Sequence, residues 1–538
     1  MHHMKREIGL IGLTFVAISG MIGSGWLFAP LQASQYAGPA SLISWGIGAI
    51  AMLLLAVTFA EISAMLPVPG GIARVPQFSH GNVVSIAMGW SAWVGYNTTA
   101  PIEVEAMMHY LAPHADWLYV GGSTEQLSGW GVAICTTLLL VFTVINAIGV
   151  KFFAYLNSTL TWAKLAIPLL LAGMIIATIF DSGNFTDVAT GGFAPYGVQG
   201  ILAAVSSGGV IFAFIGFRHA IDMAGEAKNP SFTIPAALIL AVAIAFVLYA
   251  LLQTAFIGAV QPDQLAGGWS KLSLGHELGP MAAIASAIGM LWLVSLLNVG
   301  AVTSTFAAGL VSSGSNGRLA LALAQNGIFP RFFLEISNRG VPLRALLLNF
   351  AVSSLFFIIM PFSEIIALNG AAIVLSFIVG PIAVVALRSL LPNHTRSFRV
   401  PAVNLTAGAA FVVATLVVYW SGWDTIWRLG LALLAGFIWF AIARWGFERS
   451  SNRDLDLREA VWLVPYLIGI AIVSALGHFG NGMGVIPFGW DQLLIVILAI
   501  GSFRYALVCK LSQDKFDRYM EEERIFERAE YDAEDITG

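Results

Sequence analysis

Gly20-Met21-Ile22-Gly23-Ser24-Gly25 interrupts an apolar run from about Ile8 to Leu31, and Ile215-Gly216-Phe217-Arg218-His219 interrupts another from about Val198 to Ala224. Each run is long enough to cross a bilayer as a helix. Backbone exposed to lipid cannot leave its N–H and C=O groups unpaired, so a glycine-rich break at mid-membrane must line a protein cavity. Two such breaks, each early in one half of a repeat, point to the substrate site of a secondary transporter.

The rest of the chain fits that frame. Of 538 residues, 58% are hydrophobic and 10% charged, with a mean hydropathy of +0.82. A soluble domain carries about 25% charged residues. Apolar runs predict about fourteen transmembrane helices, at 8–34, 40–66, 83–111, 130–148, 154–180, 198–224, 232–258, 281–311, 342–360, 364–389, 402–421, 425–445, 461–477 and 491–508. The runs are continuous rather than alternating, which favours an all-α polytopic membrane protein over a β-barrel.

Charge sets the expected orientation. With the N-terminus inside, Lys5, Arg6, Arg74, Lys151, Lys228, Arg318, Arg331, Arg339, Arg344, Arg388, Arg396, Arg399, Arg444, Arg449, Arg453, Arg458 and Lys510 all fall on the inner side. The outer side has Lys271, Arg428 near a boundary, and acidic residues such as Asp116, Glu125, Asp181, Asp187, Asp263 and Glu277. This bias places both termini in the cytoplasm and the chain in the inner (plasma) membrane. Cys135 and Cys509 are too far apart in this layout to pair, and no metal spacing occurs. His2-His3 reads as an unstructured terminus rather than a metal pair, and the start is too short for a cleaved signal.

Four regions result. Residues 1–7 form a cytoplasmic N-terminus and 8–390 a transport core, with halves 8–180 and 196–390 that each open on a broken helix. Residues 402–508 supply four accessory helices, read as scaffold or oligomer contact, and 511–538 form a charged tail. The tail, with Glu521-Glu522-Glu523-Arg524 and Phe526, reads as a solvated amphipathic helix or partly disordered segment, with a plug over the inner mouth as the alternative.

In the first break, Ile22, Gly23, Ser24 and Gly25 let the helix unwind. The half-helix that restarts there offers free N–H groups and a positive dipole end to a substrate carboxylate. Close helix packing is the competing explanation for such small residues. The stretch Gly23-Ser24-Gly25-Trp26-Leu27-Phe28-Ala29-Pro30, then Ala37-Gly38-Pro39, then Glu61 with Pro67-Val68-Pro69-Gly70-Gly71, resembles the amino acid–polyamine–organocation permeases. So do Gly225-Glu226-Ala227-Lys228-Asn229-Pro230 with Pro235, and Arg318 with Gln325-Asn326-Gly327-Ile328-Phe329-Pro330. Trp26, Ser79-His80-Gly81 and Phe217-Arg218 look most like the bacterial aspartate:proton symporter branch. The resemblance covers residues 8 to 450 and implies a five-plus-five inverted repeat, alternating access and an amino-acid substrate. Many members have twelve spans, so the pair at 461–508 is a departure.

Lys164 lies inside the fifth span, where a charge is costly and usually functional. The resemblance matches it to a lysine that replaces a sodium ion beside the first and eighth spans, with Ser312 as its expected neighbour. It is read as the proton carrier, or else as a fixed cation bracing the break. Arg218 stands where many members of the family have glutamate. A guanidinium binds a carboxylate through two parallel hydrogen bonds, so Arg218 would favour an acidic substrate; an internal pair with Glu103, Glu105 or Asp222 is the rival reading. Glu103 and Glu105 point to opposite faces of one helix, which Pro101 is expected to kink. Phe212, with Ala213 and Ile215 beside it, matches the aromatic that covers bound substrate in related permeases; Trp26, Phe214 and Phe217 are further gate candidates, with plain packing the favoured reading for each of the three. Asn97, Thr98 and Thr99 could line the pathway, as could His219; Asn298 is equally explained as hydrogen-bonding glue between helices.

No nucleophile–base set or nucleotide loop appears, and Gly46-Ile47-Gly48 sits in an apolar helix, so an enzyme is not expected. The expected function is proton-coupled uptake of an amino acid, aspartate or glutamate favoured. The expected partners are the amino acid and the lipid bilayer, with the proton as coupling ion, no other cofactor and no nucleic acid, in a monomer or homodimer. The alternatives are an amino-acid or polyamine exchanger without net proton coupling and a transporter-like receptor.

Overall fold

The computed structural model describes residues 6–111, 115–120, 126–272, 280–287, 289–446 and 455–522. His2-His3, Lys5, Glu125, Glu277, Arg449, Arg453 and the tail from Glu523 onward, with Arg524 and Phe526, lie outside them.

Among the described residues there are no strands, only isolated bridges at Ile8–Ala227 and Tyr119–Leu127. The helices are α1 (Leu10–Met21), α2 (Gly25–Ala37), α3 (Ser41–Met65), α4 (Gly71–Leu111), α5 (Gly129–Ile148), α6 (Val150–Ile179), α7 (Gly197–Ser206), α8 (Val210–Phe214), α9 (Arg218–Asp222) and α10 (Pro230–Ala259). They continue as α11 (Pro280–Ala287), α12 (Leu291–Gln325), α13 (Leu343–Ile359), α14 (Phe362–Phe377), α15 (Val379–Leu390), α16 (Val403–Trp420), α17 (Trp423–Gly446), α18 (Leu457–Ala460), α19 (Leu463–Leu476) and α20 (Trp490–Val508).

Among the described residues ten helices are long and apolar enough to cross a membrane, or up to eleven when the bent pair Gly197–Ser206 and Val210–Asp222 is one span. The sequence led us to expect about fourteen. The difference lies in broken or polar elements: α1 has 12 residues, α13 has 17, and α4 carries Glu103, Glu105 and three buried asparagine or histidine side chains. Outer helix faces present large apolar side chains such as Ile50, Tyr155, Val247, Ile358 and Leu405, as lipid contact requires.

The first break falls where expected, with Ile22–Ser24 between α1 and α2. The second is earlier than expected. The span bends by 43° at residues 207–209, where Gly209 adopts φ +80°, while Ile215–Phe217 only tightens into a 3-10 turn. The cue was Ser206-Ser207-Gly208-Gly209, a loop-like cluster inside the apolar run. The two interrupted spans cross in backbone contact: a Cβ on Gly216 would lie 2.2 Å from both Gly20 C and Met21 N.

The end of the molecule expected to face the cytoplasm is sealed. Ile8 N–H donates to Glu226 O at 3.0 Å, Lys228 N–H to Ile8 O at 2.8 Å, and Gly70 N–H to Asp222 O at 3.0 Å. Arg318 grips buried Glu226 through Nε at 2.6 Å and Nη2 at 3.1 Å. Glu61 accepts from Arg388 and from the Val400 N–H, and Arg396 lies 3.3 Å away.

Helix α4 departs from helical geometry at Gly81 (φ 79°, ψ −166°), not at Pro101. The Asp456 carboxylate fills the space beside Gly81 and accepts from the Asn82 N–H at 3.1 Å. Asp456 is itself held by Lys515 Nζ at 2.8 Å and Tyr519 Oη at 2.5 Å, while Leu511 N–H donates to Ser79 O. The described start of the tail is thus a helix over residues 513–522 docked along one face through Lys515, Phe516 and Tyr519, with Gln513, Asp514, Asp517, Arg518 and Glu521 exposed on the other.

Candidate functional site

A cavity of about 420 Å³ opens beside the breaks. Its wall includes Ser24, Gly25, Phe28 and Gln32 from the first span, Ser206, Ser207, Gly209, Phe212 and Ile215 from the sixth, and Ile102 and His109 from α4. Gly370 and Val374 of α14 and Val417, Ser421 and Thr425 from the α16–α17 corner complete it. The wall is mostly apolar with a few convergent polar groups, as in small-molecule sites.

The break is held at both ends by charge. Gly23 N–H turns to Met21 O at 3.0 Å, so the Ser19 carbonyl loses its helical donor. Lys164 Nζ takes that carbonyl at 2.6 Å and Ser19 Oγ at 3.0 Å, placing a cation at the negative end of α1. At the positive end of α2, Ser24 N–H donates to Glu103 Oε2 at 2.8 Å and Ser24 Oγ to Glu103 Oε1 at 3.2 Å. The chain's own carboxylate therefore occupies an N–H group that the sequence assigns to substrate. Tyr249, in the membrane-spanning α10, reaches both interrupted spans: its Oη donates to Met21 O at 2.7 Å and lies 3.3 Å from Ala213 O. Ser19 and Tyr249 were missed in the sequence. A lone tyrosine in such a helix needs a buried partner, and that was the available signal.

Other candidates sit away from the cavity. Trp26 is fully buried and donates to Ser304 Oγ at 2.9 Å, so it packs rather than lines the wall. Ser312, expected beside Lys164, lies 3.5 Å from His219 Nε2, and the His219 ring packs on Gly20. Asn97 bonds Trp93 O and Ser353, and Glu105 lines a separate cavity with Gln126 and Phe357. Arg218 does not reach the wall. Its Nη2 donates to Thr99 Oγ1 at 2.8 Å, and its guanidinium carbon lies 4.0 Å over the Tyr96 ring. Its Nε and Nη1 have no hydrogen-bond partner among the described residues. Tyr96 also bonds Asp222, and Asn369 ties Thr98 and Thr99 together.

Residues 8–442, which hold both broken spans, match the amino acid permease family. The chain belongs to the amino acid permease family. This permease is 35% identical over 520 residues to the glutamate/serine transporter AimA of Bacillus subtilis, covering 94% of each chain. It is 32% identical over 519 residues to the aspartate-proton symporter of Bacillus subtilis, covering 96% of this chain and 98% of that one. The branched-chain amino acid permease BcaP of Bacillus subtilis is 25% identical over 457 residues. These relatives are transporters, so the permease is a multi-pass membrane transporter of small molecules and not an enzyme.

Proposed function

We propose that this permease takes up an amino acid with a proton, by alternating access, with acidic substrates preferred. In this reading the chain crosses the plasma membrane fourteen times with both termini inside, and its first ten spans form two inverted repeats of five. The sealed face then points to the cytoplasm and the cavity to the outside.

The observation that carries the reading is the pair of charges bracketing Ile22–Ser24, Lys164 on Ser19 and Glu103 on Ser24. A substrate carboxylate and Glu103 compete for the same N–H group. Protonation of Glu103 would free it, and a ligand biases a conformational equilibrium only through such a difference in affinity. Lys164 is the second exchangeable proton and braces the half-helix that must swing. The names of the two relatives, one glutamate/serine and one aspartate, support a substrate range that includes an amino acid with a carboxylate side chain, as do the two unpartnered nitrogens of Arg218, Nε and Nη1, one turn beyond Ile215 of the cavity wall.

The test is uptake into proteoliposomes of labelled aspartate, glutamate, serine and leucine, with and without an inward proton gradient. Gradient-driven accumulation of the acidic pair is expected. Flux that needs internal substrate and ignores the gradient would instead identify an exchanger, and binding without flux a receptor.

A further inference from the structure

A proton carried by Lys164 must reach the inner solution while the outer cavity is shut. The buried face of α6 carries Asn157, Thr161 and Lys164, four and three residues apart and so stacked on one side of the helix. Thr161 Oγ1 donates to Asn157 O at 2.7 Å. Asn157 is fully buried, and neither its Oδ1 nor its Nδ2 has a hydrogen-bond partner among the described residues. Burying an amide without partners is costly, so a polar side chain there calls for a reason. An apolar residue of the same shape would pack at no such cost.

Position supplies the reason. At about 1.5 Å per residue, Asn157 lies roughly 10 Å from Lys164 and roughly 9 Å from Lys151 along the helix. Lys151 is at the surface, paired with Glu7 at 3.2 Å. Asn157 is thus the polar post midway between the buried ammonium and the inner face. On helices packed against α6, Ser315 Oγ of α12 and Thr14 Oγ1 of α1 are also buried and without partners among the described residues. The charged or titratable groups nearby are few. Helix α1 has none, α5 has Cys135, α10 has Tyr249, α12 has Arg318 engaged with Glu226, α9 has Arg218, His219 and Asp222, and α4 contributes Glu103.

We propose that Asn157 is a proton-relay residue that connects Lys164 to the cytoplasm through water when the inner half of the first span swings away. The inference rests on the proton-coupled reading above. Lys164 gives one proton to a water held by the Asn157 amide and Thr161 hydroxyl and is left as the neutral amine. That water passes one proton on to the inner solution. With α1 in the position seen here, Asn157 is buried away from the inner solution and the route is closed, which prevents a leak.

The experiment uses the purified full-length permease in proteoliposomes, with labelled glutamate and a trapped pH dye. Asn157→Leu keeps shape and removes both polar atoms. Asn157→Ser returns a hydroxyl and room for water. Gradient-driven uptake and glutamate-dependent proton flux should fall by about 100-fold in Asn157→Leu, the lower end of what a positioned proton-transfer group contributes. Counterflow at equal pH, which moves no net proton, should match the parent, and Asn157→Ser should restore flux. Undiminished proton flux in Asn157→Leu overturns the relay. So does a parallel loss of counterflow, which would mark a packing role. Absence of glutamate-dependent proton flux in the parent would overturn the symport reading itself, and so is told apart from failure of the relay.

Discussion

Gly23 offers a test of whether Glu103 and substrate compete for one N–H group. A Cβ on Gly23 would stand 2.3 Å from Glu103 Oε1 and 2.8 Å from its Cδ and Oε2. An ordinary contact begins at 3.4 Å, so Gly23→Ala pushes the carboxylate back by about 1 Å. The 2.8 Å bond from Ser24 N–H then stretches beyond hydrogen-bond range. Loss of a hydrogen bond to a buried charge costs about 1.5–3 kcal/mol, and the apo protein should be destabilised by that much. The same amount no longer opposes a substrate carboxylate, so glutamate should bind about 10–100-fold more tightly. The assay is thermal unfolding in detergent with and without glutamate, alongside direct radioligand binding. Gly46→Ala, away from the cavity, is the control, since its Cβ would meet nothing within 4 Å. Glutamate binding that weakens in step with stability would refute the competition.

Lys164→Gln should abolish proton-driven accumulation and flatten the pH dependence of uptake while sparing part of counterflow; accumulation with the parent's pH profile would exclude Lys164 and leave Glu103, Glu105 or His219 as carrier. If Arg218 turns from Thr99 to the substrate when the cavity closes, Arg218→Ala should weaken aspartate or glutamate binding by about 2–5 kcal/mol and serine binding by less; equal losses would make Arg218 a structural partner of Tyr96, Thr99 and Asp222. Gly25→Val should fold, because its Cβ meets only ordinary contacts, but lose substrate affinity as its methyls enter the cavity wall; normal affinity in the purified protein would remove this segment from the site. Gly216→Ala should not yield a monodisperse protein on size exclusion, because its methyl meets backbone atoms of Gly20 and Met21 at 2.2 Å and neither can give way.

Composition and local pattern were enough to read a polytopic helical membrane transporter from the sequence. Apolar runs of bilayer length and glycine breaks are local features, and a half-helix end exposes the same N–H groups wherever it is packed. Lys164, Glu103 and Gly23-Ser24-Gly25 stood out because charge and glycine are rare in such runs. Their partners did not. Ser24 and Glu103 are 79 residues apart and Lys164 and Ser19 145 apart, and no spacing rule joins them. Ser312 was expected at Lys164 and lies on His219, 93 residues away in the chain. The kink at Gly81, where Asp456 of the accessory region caps α4, likewise depends on two segments 374 residues apart. The sequence alone determined which groups are too costly to bury idle; only the packing of helices decided which of them meet, because contact between helices depends on their angle and register, and a single sequence carries neither.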